Sequence, residues 1–214
     1  MRLLSLFILL LLSAPGWSKT VLVVGDSISA AYGLAERDGW VQLANDQLNN
    51  EVTFVNASIS GDTTSGGLAR LPEALERFKP NVVVIELGGN DGLRGYSLKD
   101  MRENLTAMVD ASETAGASVL LLGMQIPSNY DTAYTRRFAE IFQKVADSTG
   151  AALVPFFLEP IATDRDYFQR DGVHPTAEAQ PLLVEHVIPA LKSLLNLSTS
   201  TDEAATDAAT ELAQ

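Results

Sequence analysis

Ser27 stands in the stretch Gly25-Asp26-Ser27-Ile28-Ser29, directly after the apolar run Val21-Leu22-Val23-Val24. The pattern reads as a buried strand that ends in a polar turn. A serine hydroxyl is a weak nucleophile and needs an adjacent base. The chain holds 2 histidines and no cysteine. His186 lies among Val184, Val187 and Ile188 and reads as a helix or packing histidine. His174 lies in Asp171-Gly172-Val173-His174-Pro175, an irregular stretch. Asp171 is three residues upstream, and Gly172 permits a tight turn. The carboxylate can therefore reach the imidazole and fix its tautomer, as the acid of a triad does. The same residues also read as an Asp-Gly turn followed by a helix start at Thr176. Both readings stay open on this stretch alone.

Acyl transfer also needs donors for an oxyanion. Three are available: the backbone N–H of Ser27, the backbone N–H of Gly61 in Ser60-Gly61-Asp62, and the side-chain amide of Asn90 in Gly88-Gly89-Asn90-Asp91-Gly92. Each has an ordinary alternative, as a loop glycine or a turn asparagine. The chemical reading depends on whether four loops reach one place.

The elements that must position them follow from the apolar pattern. Five runs read as buried strands: Val21–Val24, Val52–Val55, Val82–Leu87, Ser118–Gly123 and Ala152–Phe157. Their starts recur roughly every thirty residues, the length of a strand, a helix and two loops. Between them, apolar residues recur at three- and four-residue spacing: Trp40, Leu43, Ala44, Leu48; Leu68, Leu71, Leu75, Phe78; Met101, Leu105, Met108, Val109; Phe138, Ile141, Phe142, Val145. Such stripes let one helix face cover a sheet. A last helix is expected over about Thr176 to Asn196, with Pro181 in its first turns and Pro189 kinking it. Non-alternating strands separated by amphipathic helices imply a three-layer α/β/α fold around a five-stranded parallel sheet. The expected flavodoxin-like order is 2-1-3-4-5, which makes strands 1 and 3 neighbours with a crevice at their carboxyl ends. The turns carrying Ser27 and Asn90 follow those two strands.

In order along the chain, Gly25–Ser29, Ser60–Asp62, Gly88–Asp91 and Asp171–Pro175 resemble the four sequence blocks of the SGNH or GDSL hydrolase family. The resemblance covers about Thr20 to Leu195. Ile28 stands where the family usually has leucine. The resemblance implies that Ser27 is the nucleophile, His174 its base, Asp171 the partner of that base, and Ser27, Gly61 and Asn90 the oxyanion donors, with no cofactor and no metal. Within the family the chain resembles the exported bacterial thioesterase I/lysophospholipase/arylesterase group. That likeness rests on Glu86–Gly95, Met124-Gln125-Ile126-Pro127, Asn129-Tyr130 and Pro155-Phe156-Phe157. It implies a small-molecule acyl ester, thioester or lysophospholipid as substrate. The stretch is not a G-x-S-x-G elbow, because the second glycine is missing. Leu93, Ile126, Tyr130 and Phe157 are the residues expected to line an acyl groove; each also reads as ordinary packing. Two other functions fit the fold: a glycan O-deacetylase and a noncatalytic small-ligand binding module.

Bulk properties bound these readings. At 214 residues the chain suits one domain with a real core. A net charge of -12 argues against nucleic acid, whose phosphates need Lys and Arg. Residues 1–18 read as a signal peptide: Arg2, the apolar stretch Leu3 to Leu12, then Gly16-Trp17-Ser18 before a cut. Residues 19–197 form the hydrolase body, and Ser198 to Gln214 an acidic, disordered tail with almost no large apolar groups. These features predict a periplasmic or secreted monomer without a membrane span after cleavage.

Overall fold

The computed structural model describes residues 18–48, 51–126 and 132–197. The expected signal peptide and tail therefore lie outside the described residues, Ser18 excepted, and so does Tyr130.

Five parallel strands form one sheet: β1 (Lys19–Gly25), β2 (Val52–Asn56), β3 (Val82–Glu86), β4 (Ser118–Leu122) and β5 (Ala152–Val154). The order is β2-β1-β3-β4-β5, as the spacing of the apolar runs implies. Register is continuous through the centre, with Val21 opposite both Phe54 and Val82, and Val23 opposite both Asn56 and Val84. Val21 to Val24 and Val82 to Glu86 are buried along their whole length. That is why these strands show no alternation of polar and apolar residues: helices cover both faces.

The helices are α1 (Trp40–Gln47), α2 (Thr64–Phe78), α3 (Gly89–Leu93), α4 (Leu98–Thr114), α5 (Thr132–Thr149) and α6 (Gln180–Leu195). α1 packs with α6, and α2, α4 and α5 pack in sequence. Their inward stripes bury Trp40 and Ala44, Leu71 and Leu75, Met101, Leu105 and Met108, and Phe138 and Phe142. Each such large side chain contributes about 1.5–3 kcal/mol by leaving water.

Three elements differ from the sequence reading. β5 stops at Val154 rather than Phe157, because Pro155 has no N–H to extend the ladder. Phe157 N–H instead donates to Gly123 O at 2.8 Å. α6 begins at Gln180 rather than Thr176, preceded by single turns, with Pro181 in its first turn; it runs on through Pro189. The glycine-rich turn after β3 contains a short helix, α3. Gly88 makes this possible by taking φ 112°, a conformation that side-chain-bearing residues rarely adopt.

Candidate active site

Ser27 sits in the first turn after β1. This turn is closed by backbone bonds from Ala30 N–H to Asp26 O and from Tyr32 N–H to Ser27 O, both 3.0 Å. Across 147 residues of chain, His174 Nε2 lies 2.9 Å from Ser27 Oγ. The other ring nitrogen, Nδ1, lies 2.7 Å from Asp171 Oδ2. A carboxylate facing Nδ1 places the proton there and leaves Nε2 free to accept from the serine hydroxyl. The second Asp171 oxygen accepts from the N–H groups of Val173 and His174, at 2.9 and 3.0 Å. The Asp-Gly turn is thus present and brings the carboxylate to the ring, while the expected helix start at Thr176 is not found, since α6 begins at Gln180.

Residual burial works against ionisation of Asp171. The N–H groups of His174 and Val173, then the His174 ring, outweigh it and draw the carboxyl down to about 2. His186 sits elsewhere, with Nε2 3.1 Å from Phe156 O, as expected of a packing histidine.

The loop bearing His174 is held by a side chain that sequence reasoning missed. Gln169 donates from Nε2 to Tyr32 O at 2.8 Å and to Pro175 O at 3.0 Å. One side chain therefore ties the loop of His174 to the loop of Ser27. Gly33 leaves room for it, since a Cβ there would lie 2.3 Å from Gln169 Oε1. Tyr32 also covers the imidazole, with ring centroids 4.5 Å apart.

Gly61 takes φ 79°, in the left-handed region. Its loop is anchored to the nucleophile turn by Ile59 N–H donating to Gly25 O at 3.0 Å. Arg70 reinforces the join: it pairs with Asp62 at 2.8 Å and reaches the carbonyls of Ala57 and Gly25. Arg94 donates to Gly61 O at 3.0 Å. Among the described residues, neither the N–H of Ser27 nor that of Gly61 donates to another protein group.

Asn90 Nδ2 donates to Asp26 Oδ2 at 2.9 Å, so the amide is not spent on its own turn. Asp26 Oδ1 accepts from Ile28 N–H at 3.1 Å. Burial, above all, pushes the Asp26 carboxyl from 3.8 to about 6. The Ile28 and Asn90 hydrogen bonds and the charge of His174 pull it down, and Asp62 adds to the rise. Behind Asp26 lies Glu86 at the end of β3, fully buried. Asp91, next to Asn90, accepts from Thr64 Oγ1 at 2.7 Å and Thr64 N–H at 3.0 Å, which fixes α3 against the start of α2.

Ser27, Asn90 and His174 line a cleft of about 650 Å³, within the usual range for small-molecule sites. Leu93 and Ile126 line it too. Phe157 does not: it has no exposed surface and packs edge-on against Trp40, with centroids 5.4 Å apart. Phe156 lines the cleft instead, with Met124 and Leu158 adding apolar wall. β5 has ended before Pro155, and beyond it Phe156 faces the cleft while Phe157 faces the core. Among the described residues, no cluster of three or more metal-ligating side chains occurs.

Comparison with known proteins shows the family of the chain. The sequence pattern of the GDSL-like Lipase/Acylhydrolase family matches residues 23–181. The chain belongs to that family. Esterase TesA of Pseudomonas aeruginosa is 50% identical over 190 residues, covering 87% of this chain and 94% of that protein. The Thioesterase 1/protease 1/lysophospholipase L1 of Escherichia coli strain K12 is 38% identical over 191 residues, covering 89% and 92%. A crystal structure of the psychrotrophic esterase EstA from Pseudoalteromonas sp., inhibited by monoethylphosphonate, superimposes with a TM-score of 0.80 at 43% identity, covering 84% of this chain and all of the other. The family match spans all four blocks, from Gly25 through Pro175, and reaches into the start of α6.

Proposed function

We propose that this protein is a serine hydrolase of acyl esters and thioesters, working through Ser27, His174 and Asp171. The observation that carries the reading is the unbroken line from Ser27 Oγ through the imidazole to Asp171 Oδ2, at 2.9 and 2.7 Å. His174 Nε2 takes the hydroxyl proton as Ser27 Oγ attacks the acyl carbonyl carbon. Asp171 steadies the imidazolium that results. The carbonyl oxygen becomes an oxyanion between the N–H groups of Ser27 and Gly61 and the Asn90 amide. Collapse breaks the bond to the leaving oxygen or sulfur, which takes the proton from His174. Water then enters; His174 removes its proton, the oxygen attacks the acyl-enzyme, and Ser27 departs reprotonated.

The apolar walls at Leu93, Met124, Ile126 and Phe156 support an acyl chain as the bound portion. The arylesterase, thioesterase and lysophospholipase activities that the sequence resemblance implies all share that portion. The cleft of about 650 Å³ supports a small-molecule substrate. Among the described residues no helix is long and apolar enough to cross a membrane. The leader-like residues 1–18 support export to the periplasm or beyond. Labelling with a fluorophosphonate, followed by peptide mapping, tests the reading: the adduct is expected on Ser27, and folded protein that stays unlabelled would refute it.

A further inference from the structure

The mechanism above makes no use of Glu86, although this residue has no exposed surface and ends directly behind the nucleophile turn. Its Oε2 accepts from the Asp26 N–H at 3.2 Å and from the Ser29 hydroxyl at 2.7 Å. Ser29 Oγ in turn accepts from the Trp40 indole N–H at 3.1 Å. Asp26 passes the connection onward, since its carboxylate receives the Asn90 amide. A chain of contacts thus runs from Trp40 in α1, through Ser29 and Glu86, to Asp26 and the amide of Asn90. The close approach is built into the backbone. A Cβ on Gly25 would lie 2.8 Å from Glu86 Oε2 and 2.7 Å from Ser29 Cβ, so only glycine lets this carboxyl nest under the turn.

We infer that Glu86 is a positioning residue for the oxyanion site: by holding the Asp26 N–H and the Ser29 hydroxyl, it fixes Asp26, and through the Asp26 carboxylate it fixes the Asn90 amide. The inference rests on the proposed acyl-transfer reading. It also predicts the form in which Glu86 works. Oε1 is buried with no hydrogen-bond partner among the described residues. A bare oxygen is far less costly in a neutral acid than in a buried carboxylate. Burial first, then the nearby Asp26 charge, push the Glu86 carboxyl well above its usual range, against the hydrogen bonds from Ser29 and Asp26. Asp26 has a donor on each oxygen and is the better site for the negative charge of the two. Glu86 therefore acts as an uncharged hydrogen-bonding bracket, and an amide of the same shape can replace it.

The test compares Glu86→Gln, Glu86→Leu and Ser29→Ala with wild type on a p-nitrophenyl ester, reading kcat, KM and thermal midpoint. Glu86→Leu is expected to lower kcat about 30-fold or more while KM moves less than about threefold, because the missing support is felt in the transition state. Glu86→Gln is expected to regain kcat to within about fivefold of wild type. A glutamine variant as slow as the leucine variant would overturn the inference, since it would show that charge is required. So would wild-type kcat in Glu86→Leu, or a deficit confined to KM. If Glu86→Leu does not fold, Ser29→Ala decides: a kcat lowered about fivefold at unchanged KM supports the bracket, and wild-type kcat overturns it. Absence of turnover in folded wild type would instead count against the acyl-transfer reading itself.

Discussion

Asn90 gives one amide hydrogen to Asp26 at 2.9 Å, which fixes which end of the amide faces the cleft. An acceptor on that side forces nitrogen, not oxygen, toward Asp26, and in the proposed mechanism the second hydrogen serves the oxyanion. Asn90→Ala should therefore lower kcat by about 10²–10³ with little change in KM. Steady-state kinetics check this, and a large rise in KM at constant kcat would show that Asn90 only binds substrate.

Asp26 sets a cost as well as a geometry. Its carboxyl is raised in the folded state from 3.8 to about 6. Its contribution to stability is therefore fully present below about pH 3.8 and is lost as pH rises through about 6. The difference amounts to about 3 kcal/mol at 1.36 kcal/mol per pKa unit. Asp26→Asn should gain stability relative to wild type as pH rises from about 4 through about 6, by up to about that amount, and the difference should then level off. It should also be slower, because one acceptor for Ile28 or Asn90 becomes a donor. Denaturant titrations at several pH values measure the first effect, and a constant stability difference would contradict it.

Ser27→Ala and His174→Ala should each lose about 10⁴-fold or more in turnover, leave little rate to gain by combining them, and keep the folded circular dichroism spectrum. A double variant much slower than either single one would mean that the two do not act as a unit.

Asp171 is held down to about 2, so it stays ionised across the range in which esterases are assayed. Its contribution to stability is present above about pH 3.8 and disappears as pH falls toward 2. The acid limb of the pH–rate profile should therefore not arise from Asp171. Asp171→Asn places an amide where a carboxylate receives Nδ1–H and favours the wrong tautomer, so a loss of about 10²–10⁴ in kcat is expected. Near-normal rates in that variant would make the contact structural only.

The two adjacent phenylalanines should behave in opposite ways. Phe157→Ala empties a site against Trp40 and should cost about 3–5 kcal/mol of stability. Phe156→Ala, truncating a half-buried side chain, should cost less stability than Phe157→Ala and shift the preferred acyl length, as should Leu93→Ala. A chain-length series of p-nitrophenyl esters, with acetylated glycans alongside, checks the shift and separates acyl-ester from glycan-acetyl specificity.

The sheet and its order were legible because valine-rich runs without alternation leave few alternatives to buried parallel strands. The Ser27, Asn90 and His174 loops were legible because their residue types match one chemistry and the strand order sends them to one edge. Phe157 was expected in the groove and Phe156 stands there instead, since which of two neighbours faces the core depends on how the chain leaves a strand, and β5 ends before Pro155. Gln169, Asp26 and Glu86 carried no readable signal of their role. A glutamine in a loop and an acid at a strand end acquire meaning only when β1 and β3 lie side by side. Asp62 and Arg70 were eight residues apart in plain view, but the carbonyls that Arg70 reaches, Gly25 at the end of β1 and Ala57 just past β2, come together only in the folded sheet.

The serine and its base are separated by 147 residues, and α6, which follows the base, is tied back to α1 by Gln180 accepting the Trp40 backbone N–H at 2.9 Å. A chain emerging from the ribosome would thus possess its attacking group early and remain chemically silent until its final segment had docked. Hydrolytic activity would then report completed assembly, and loosening of that last segment would switch the enzyme off before the sheet itself came apart.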